Sequence, residues 1–188
     1  MWRQLAAILM HKIKLIAIND LSDTRNKPAL PSWEVMRLRT TRHSRSLANL
    51  LPPGLSGHTV SLDALHDGMK NELLWVAVES NDSPVGFILL SVLDAIIFIK
   101  EMDVHRHHQQ QGLGRALIST ALVAARQRGF SVAALTTFSS VPWNTHFYRK
   151  LEFTTLDYGN TPGVIRTILD NERDAGLKDR VSMVKDLQ

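Results

Sequence analysis

The spacing of apolar residues along this chain changes period several times, and each change marks an element. Leu73 to Glu79 is almost continuously apolar, Asn81-Asp82-Ser83-Pro84 is a cluster of turn formers, and Val85 to Leu93 is apolar again. That pattern predicts two strands joined by a tight connection. Asp94 turns the chain once more into Ala95 to Val104, so three strands follow one another as a meander. From Gly112 to Arg128 the period lengthens: Leu113, Leu117 and Leu122, with Ala121, Ala124 and Ala125, fall on one stripe of a helix that Gly129 stops. Ser131 to Phe138 reads as a strand, Pro142 stands where it opens a short helix, and Phe153 to Tyr158 returns as a strand. Val164 to Arg173 is predicted helical, and Arg180 to Lys185 is expected to close the sheet edge.

Upstream the signals are softer. Trp33 to Arg39 alternates as a first strand would, and Thr40 to Lys70 is expected to form helical pieces interrupted at Pro52-Pro53-Gly54. Leu21 to Ser32, with Pro28 and Pro31, reads as a linker. Before it, Met1 to Asp20 is apolar but broken by His11, Lys12 and Lys14. A membrane span needs roughly 18 or more consecutive apolar residues, so this stretch is read as an amphipathic extension, and no membrane partner is expected. It also lacks the small-residue cleavage site of a secretory signal. The expected organisation is an extension and linker over residues 1–32 and one domain over residues 33–188.

Composition narrows the class. The chain has 188 residues, 44% hydrophobic and 21% charged, which suits one globular domain with a core of its own. It has no cysteine, which excludes disulfides, thiolate nucleophiles and zinc–cysteine sites and fits a reducing, cytoplasmic setting. The net charge of +4 is spread along the chain. Its densest basic group is Arg37, Arg39, Arg42 and Arg45, read as a solvated face rather than the stripe of a nucleic-acid reader. No nucleic-acid partner is expected.

The segment with most chemistry in it is Gln109-Gln110-Gln111-Gly112-Leu113-Gly114-Arg115, between the third strand and the long helix. Glycine permits positive φ and a close approach of backbone to ligand, and the first N–H groups of a helix converge without internal partners. Such a junction attracts anions. A dinucleotide fingerprint would need a third glycine where Leu117 stands. Close helix-to-sheet packing is the alternative use for the two glycines. His105, His107 and His108 precede the loop without a carboxylate or cysteine at ligand spacing, so they are read as solvated donors and no metal is expected.

Taken in order, Glu101-Met102-Asp103-Val104, then Gln109 with Gly112 and Gly114 at the third and fifth positions after it, then Phe147-Tyr148 with Leu151 and Phe153, resemble the GNAT superfamily of N-acetyltransferases. The likeness is good from about Leu73 to Tyr158 and looser to Leu187. Leu135-Thr136-Thr137-Phe138 with Val141-Pro142-Trp143-Asn144 resembles one bacterial branch whose acceptors are largely unassigned. The resemblance implies an α/β fold with a mixed, mostly antiparallel sheet of about six to seven strands flanked by about four helices. It implies acetyl-CoA as co-substrate and an amine as acceptor. Pairing into a homodimer through the last strand is common in such relatives, though no residue here points to it.

The resemblance also assigns roles. Backbone N–H groups of Gln110, Gln111, Gly112, Leu113, Gly114 and Arg115 would cradle the pyrophosphate, with the Gln109 or Arg115 side chain adding donors. Met102, Asp103 and Val104 match the strand that relatives splay with a bulge to pair with the pantetheine arm, and the Val104 N–H would meet the thioester oxygen. Tyr148 matches the tyrosine placed near the cofactor sulfur, where a phenol can protonate a thiolate. Amine attack also needs a base, because an alkylammonium has no lone pair. Glu101 ends the apolar run Ile96-Ile97-Phe98-Ile99, a costly place for a carboxylate, and is favoured over Asp103, from which an intervening bulge would separate it.

The chain departs from the family pattern in places. The usual asparagine lies seven residues before the tyrosine, which is Val141 here, whereas Asn144 lies four before it and would contact the cofactor or the helix start. Glu152 replaces the glycine of a Leu-Gly-Phe turn, and Arg106 stands where proline is common. A small amine is the expected acceptor; a protein N-terminus or lysine, or a non-catalytic acyl-CoA sensor, are the alternatives.

Overall fold

The computed structural model describes residues 13–17, 60–80 and 83–188. Among them run β1 (Ile13–Ala17), α1 (Leu62–Lys70), β2 (Leu74–Glu79), β3 (Pro84–Leu93), β4 (Ile96–Val104), α2 (Leu113–Gln127), β5 (Val132–Phe138), α3 (Pro142–Arg149), β6 (Thr154–Leu156), α4 (Gly163–Asp174) and β7 (Arg180–Asp186). The strands form one seven-stranded sheet in the order β1-β2-β3-β4-β5-β7-β6. Only β4 and β5 are parallel; every other neighbour is antiparallel. A mixed, mostly antiparallel sheet with four helices is the architecture the resemblance implies.

The runs at β2 and β3 are apolar throughout, rather than alternating, because both faces of the sheet are covered. On one face α2 lays Leu117, Ile118, Ala121 and Ala125 against Trp75, Ala77, Ile88, Leu90, Ile97 and Ile99. On the other, α1 packs Leu65 and Met69 on Leu74, Val76, Val78, Phe87 and Leu89, and α4 packs Ile165 on Phe98 and Ala134. Each such side chain, fully buried, contributes about 1.5–3 kcal/mol relative to exposure.

Two expectations change, and two fall outside the described residues. Residues 13–17, placed in an extension, pair with β2 and start the sheet. The strand expected at Trp33 to Arg39 and the break at Pro52-Pro53-Gly54 lie outside the described residues. Arg180 to Asp186 does not close the edge: β7 lies between β5 and β6, and the three-residue β6 is the edge strand. Periodicity reads β7 as a strand but holds no information on its neighbours. With partners on both sides, β7 cannot pair with a second copy along its length unless β6 moves.

The turn after α3 keeps its shape despite lacking the usual glycine. Glu152 sits at φ 68, a left-handed conformation glycine adopts without strain. The Phe153 N–H donates to the Tyr148 carbonyl at 3.1 Å and the Glu152 carboxylate bonds to Lys185, which hold the residue there.

Candidate active site

β4 carries one residue too many for β3. Leu89 lies opposite Glu101 and Leu90 opposite Ile99, so Lys100 is a bulge with no partner position. The consequence is an exchange of faces. Ahead of the bulge Ile97 and Ile99 point to α2; beyond it Met102 and Val104 do. Glu101 and Asp103, opposite Leu89 and Phe87, are thereby turned to the α1/α4 face. Regular pairing through Lys100, with no bulge, would drive both carboxylates under α2, where no water could compensate them. The bulge expected between Glu101 and Asp103 therefore lies before both, and they share a face.

β4 and β5 also part here. Their pairing runs from Ile96 with Val132 to Ile99 with Leu135 and stops, while β5 continues through Thr136, Thr137 and Phe138 against β7. A wedge opens in the sheet, with Lys100–Val104 as one lip and Thr136–Phe138 as the other. The His105 N–H donates to Val85 at 2.8 Å, so His105 faces β3, and Val104 beside it faces the wedge. The Val104 carbonyl accepts from the Gln109 side-chain amide at 2.9 Å, and its N–H points the same way.

The anion-loop expectation falls on a left-handed turn. Gln110 has φ 60 and Gly112 φ 86, immediately ahead of α2. A Cβ on Gly112 would meet nothing within 4 Å, so packing against the sheet is not what calls for glycine there; its backbone angle is. Gly114 differs: its Cβ would lie 3.4 Å from the Phe147 ring and 3.5 Å from Met102 Cε, where α2, α3 and β4 meet. Leu113, Gly114 and Arg115 form the first turn of α2, whose N–H groups have no carbonyl within the helix. The Gln109 and Gln111 side chains, the latter donating to the His107 carbonyl at 2.9 Å, staple the loop rather than extend from it. Arg115 also lines a groove of about 480 Å³ with Ser119, Arg126, Lys150 and Lys185.

Glu101 and Tyr148 converge on the wedge from opposite faces. Tyr148, on α3, packs against the α2-side core with its ring 5.1 Å from Phe147 and 5.9 Å from Phe153. Glu101 is exposed as a residue, yet protein atoms crowd its carboxyl enough to desolvate it. Burial, and then the charge of Asp103, raise its pKa from 4.5 to about 7, against Arg180 and a hydrogen bond from Met102, which lower it. Burial and then the Glu101 charge push Tyr148 from 10.0 to about 12, again opposed by Arg180. A carboxyl near 7 accepts a proton at neutral pH, and a phenol near 12 keeps one to give. Asn144 lies in the first turn of α3, its N–H bonded to the Val141 carbonyl at 3.0 Å, and Val141 is wholly buried.

Arg180 escapes a reading of motifs. It belongs to no signature and reaches the site only because β7 inserts beside β5, opposite Phe138. The three histidines before the loop touch one another, His105 to His107 at 5.1 Å between ring centres. Among the described residues no group of three or more His, Cys, Asp or Glu could hold a metal, and no helix is long and apolar enough to cross a membrane.

A bulged strand splayed from its parallel neighbour, followed by a left-handed turn into a helix, defines an acyltransferase scaffold. Residues 44–153 match the model of the acetyltransferase (GNAT) family, so the chain belongs to that family and is an N-acetyltransferase, acetyl transfer to amines being the family's general reaction. Solved structures repeat the fold. A GNAT-family acetyltransferase from Staphylococcus aureus Mu50 is 16% identical with a TM-score of 0.66, over 94% of this chain and 99% of that one. The PaiA N-acetyltransferase of Thermoplasma acidophilum, in complex with coenzyme A, is 14% identical with a TM-score of 0.67, over 93% and 98%. The ribosomal-protein-S18-alanine N-acetyltransferase of Escherichia coli is 16% identical with a TM-score of 0.58, over 94% of each.

Proposed function

We propose that this N-acetyltransferase moves an acetyl group from acetyl-CoA to the primary amine of a small molecule by direct attack, with Glu101 as base and Tyr148 as acid. The observation that carries the reading is the pair of shifted groups on opposite faces of one wedge, beside a turn suited to phosphate. The residues present fit the co-substrate. Open space at the Gly112 Cβ position, the first-turn N–H groups of α2 and the β4 lip that β5 no longer pairs are what a pyrophosphate and an amide-bearing arm require. The amides of Gln110 to Arg115 would hold the pyrophosphate, and Met102, Asp103 and Val104, with Asn144 and Tyr148, the pantetheine arm. Acetyl-CoA, when bound, supplies an acetyl thioester.

Glu101 takes a proton from the ammonium, directly or through water, and leaves a nucleophilic amine on the α1/α4 face of the wedge. The Val104 N–H donates to the thioester oxygen as negative charge gathers there. A nitrogen–carbon bond forms and the carbon–sulfur bond breaks; Tyr148 gives its proton to the departing sulfur, the new amide nitrogen sheds its second proton through water to the Tyr148 oxygen, and Glu101 releases the first to solvent. A desolvated base near 7 suits the job, because it is substantially ionised at neutral pH yet still basic enough to accept the proton.

The test is thiol release from acetyl-CoA with a panel of small amines, polyamines, amino acids and peptides. Small amines are expected to give acceptor-dependent release that falls about a hundredfold in Glu101→Gln and at least about tenfold in Tyr148→Phe. Release with peptides alone would move the reading to a protein acceptor. Binding of acetyl-CoA with no release by any acceptor would leave a sensor.

A further inference from the structure

Across the wedge from Glu101 lies a charged cluster that no step above uses. The Arg180 guanidinium donates from Nε to Glu172 Oε2 at 2.9 Å and from Nη2 to Glu172 Oε1 at 2.7 Å. Nη2 also donates to Thr136 Oγ1 at 2.8 Å, and Thr136 in turn donates to Glu172 Oε1 at 2.8 Å. The guanidinium lies 4.4 Å above the centre of the Phe138 ring. α4, β5 and β7 thus fix one cation by a two-pronged ion pair, a hydroxyl and an aromatic face.

The cluster sits where it can act on the site. Ala134 packs under α4, and by alternation Thr136 and Phe138 share its face, with Arg180 opposite Phe138. Glu101 and Asp103 occupy the same side of the sheet on the other lip. Stability alone does not call for this arrangement. Side chains of Arg180 and Glu172 are only 15% and 18% exposed, and an ion pair so shielded recovers little more than its own desolvation. Nearby, Phe98, Ala134 and Ile165 join α4 to the sheet with apolar contacts alone.

We propose that Arg180 is a positioning residue for acetyl transfer, clamped by Glu172, Thr136 and Phe138 on the far lip of the wedge so that its charge sets the ionisation of Glu101. The proposal rests on the reading of Glu101 as base. Among the described residues, the charged and titratable groups that act on Glu101 are Asp103 from its own strand, Tyr148 from α3 and Arg180 from β7, with Glu172 of α4 behind the arginine. β3 places Leu89 opposite it, and α1 packs Leu65 and Met69 in the same apolar cluster as Leu89. Burial and Asp103 hold the proton on Glu101 and Arg180 draws it off, so the arginine's full charge and its partial neutralisation by Glu172 have opposite effects.

Two variants should therefore move the midpoint in opposite directions. Arg180→Met removes the cation, and the Glu101 midpoint should rise by about half a pH unit or more. Glu172→Gln, nearly isosteric, leaves the cation uncompensated, and the midpoint should fall. Arg180→Lys keeps the charge and should stay nearer wild type than the methionine variant; equal behaviour of lysine and methionine would mean a steric role and overturn the proposal.

The midpoint is read on the full-length protein by carboxyl-carbon NMR, with Glu101→Gln assigning the resonance, so the measurement needs no acceptor. The acid limb of kcat/KM, measured with acetyl-CoA and whichever panel amine releases thiol, should follow the NMR midpoint in each variant. A midpoint that moves in neither variant, or the same way in both, overturns the proposal and leaves Glu101 as base untouched. A midpoint that moves while the rate profile shows no limb near it overturns the base assignment, and the catalytic role of Arg180 with it.

Discussion

From Ile96 to Ile99, β4 is paired on both sides, with β3 and β5, and Ile97, Phe98 and Ile99 are buried; from Lys100 to Val104 it keeps β3 alone and its side chains are exposed or half-buried. One extra residue separates the two halves. In the first half the strand is paired on both sides and three of its four side chains are buried, so a change there is felt as stability. In the second, a strand lip and a carboxylate are left open, and the protein tolerates this because β3 still holds the strand at Gly86 to Leu89. The same strand is thus made rigid at one end so that it can be incomplete at the other.

That division can be broken by experiment. Ile97→Ala empties a fully buried position in the paired half and should cost about 2–5 kcal/mol, read by chemical denaturation, with the pH dependence of the remaining activity unchanged. A small loss of stability would mean that the paired half is not the anchor.

Glu101→Gln, four residues on, should do the reverse: a loss of about a hundredfold or more in kcat/KM at neutral pH, roughly 3 kcal/mol of transition-state stabilisation, with the fold intact. In the wild type kcat/KM should climb as pH rises through about 7, because Glu101 must lose its proton to act, and this limb should vanish in the variant. The sign for stability is opposite. A carboxyl whose folded value is raised from 4.5 to about 7 binds more proton in the folded state, so its contribution is complete below pH 4.5 and is lost as pH rises toward 7. Glu101→Gln should flatten that slope; an unchanged slope would place the shift elsewhere.

Gly112→Val tests the turn that follows the open half. A branched side chain at φ 86 costs about 1–2 kcal/mol in backbone strain, and the KM for acetyl-CoA should rise about tenfold with kcat less affected. Gly114→Ala, at ordinary contact distance from Phe147 and Met102, should be milder; equal losses would mean that packing rather than backbone angle governs the loop. The smallest effect is expected at the opposite end of β4, in the two-residue turn before it. Asp94 holds φ 52, so Asp94→Gly should stabilise by less than about 1 kcal/mol and leave the pH–rate profile alone. A shifted profile would couple the two halves that the bulge divides.

Much of this was legible in the chain. The strands at β2 to β5, the stripe of α2 and the start of α3 at Pro142 follow from local periodicity and turn chemistry, which act over a few residues. Glu101, Tyr148 and Gly112 stood out because a carboxylate ending an apolar run, a tyrosine in a family motif and a glycine before a helix each carry a local oddity. The site of the bulge, the place of β7 and the engagement of Gln109 with Val104 were not legible. Each depends on which strands pair and in what register, a choice made by the whole sheet.

The sequence alone determined the order and kind of most elements, the position of the left-handed turn and the two residues proposed as base and acid, because propensity, periodicity and side-chain identity are properties of short segments. Tertiary structure decided which face each group meets. Lys100 slips one position so that Ile97 and Ile99 stay under α2 while Glu101 turns away from it, and β7 inserts beside β5 to bring Arg180 to the same wedge. Both outcomes minimise buried, unpaired polar groups over the entire sheet, and that balance exists only once distant strands are in contact.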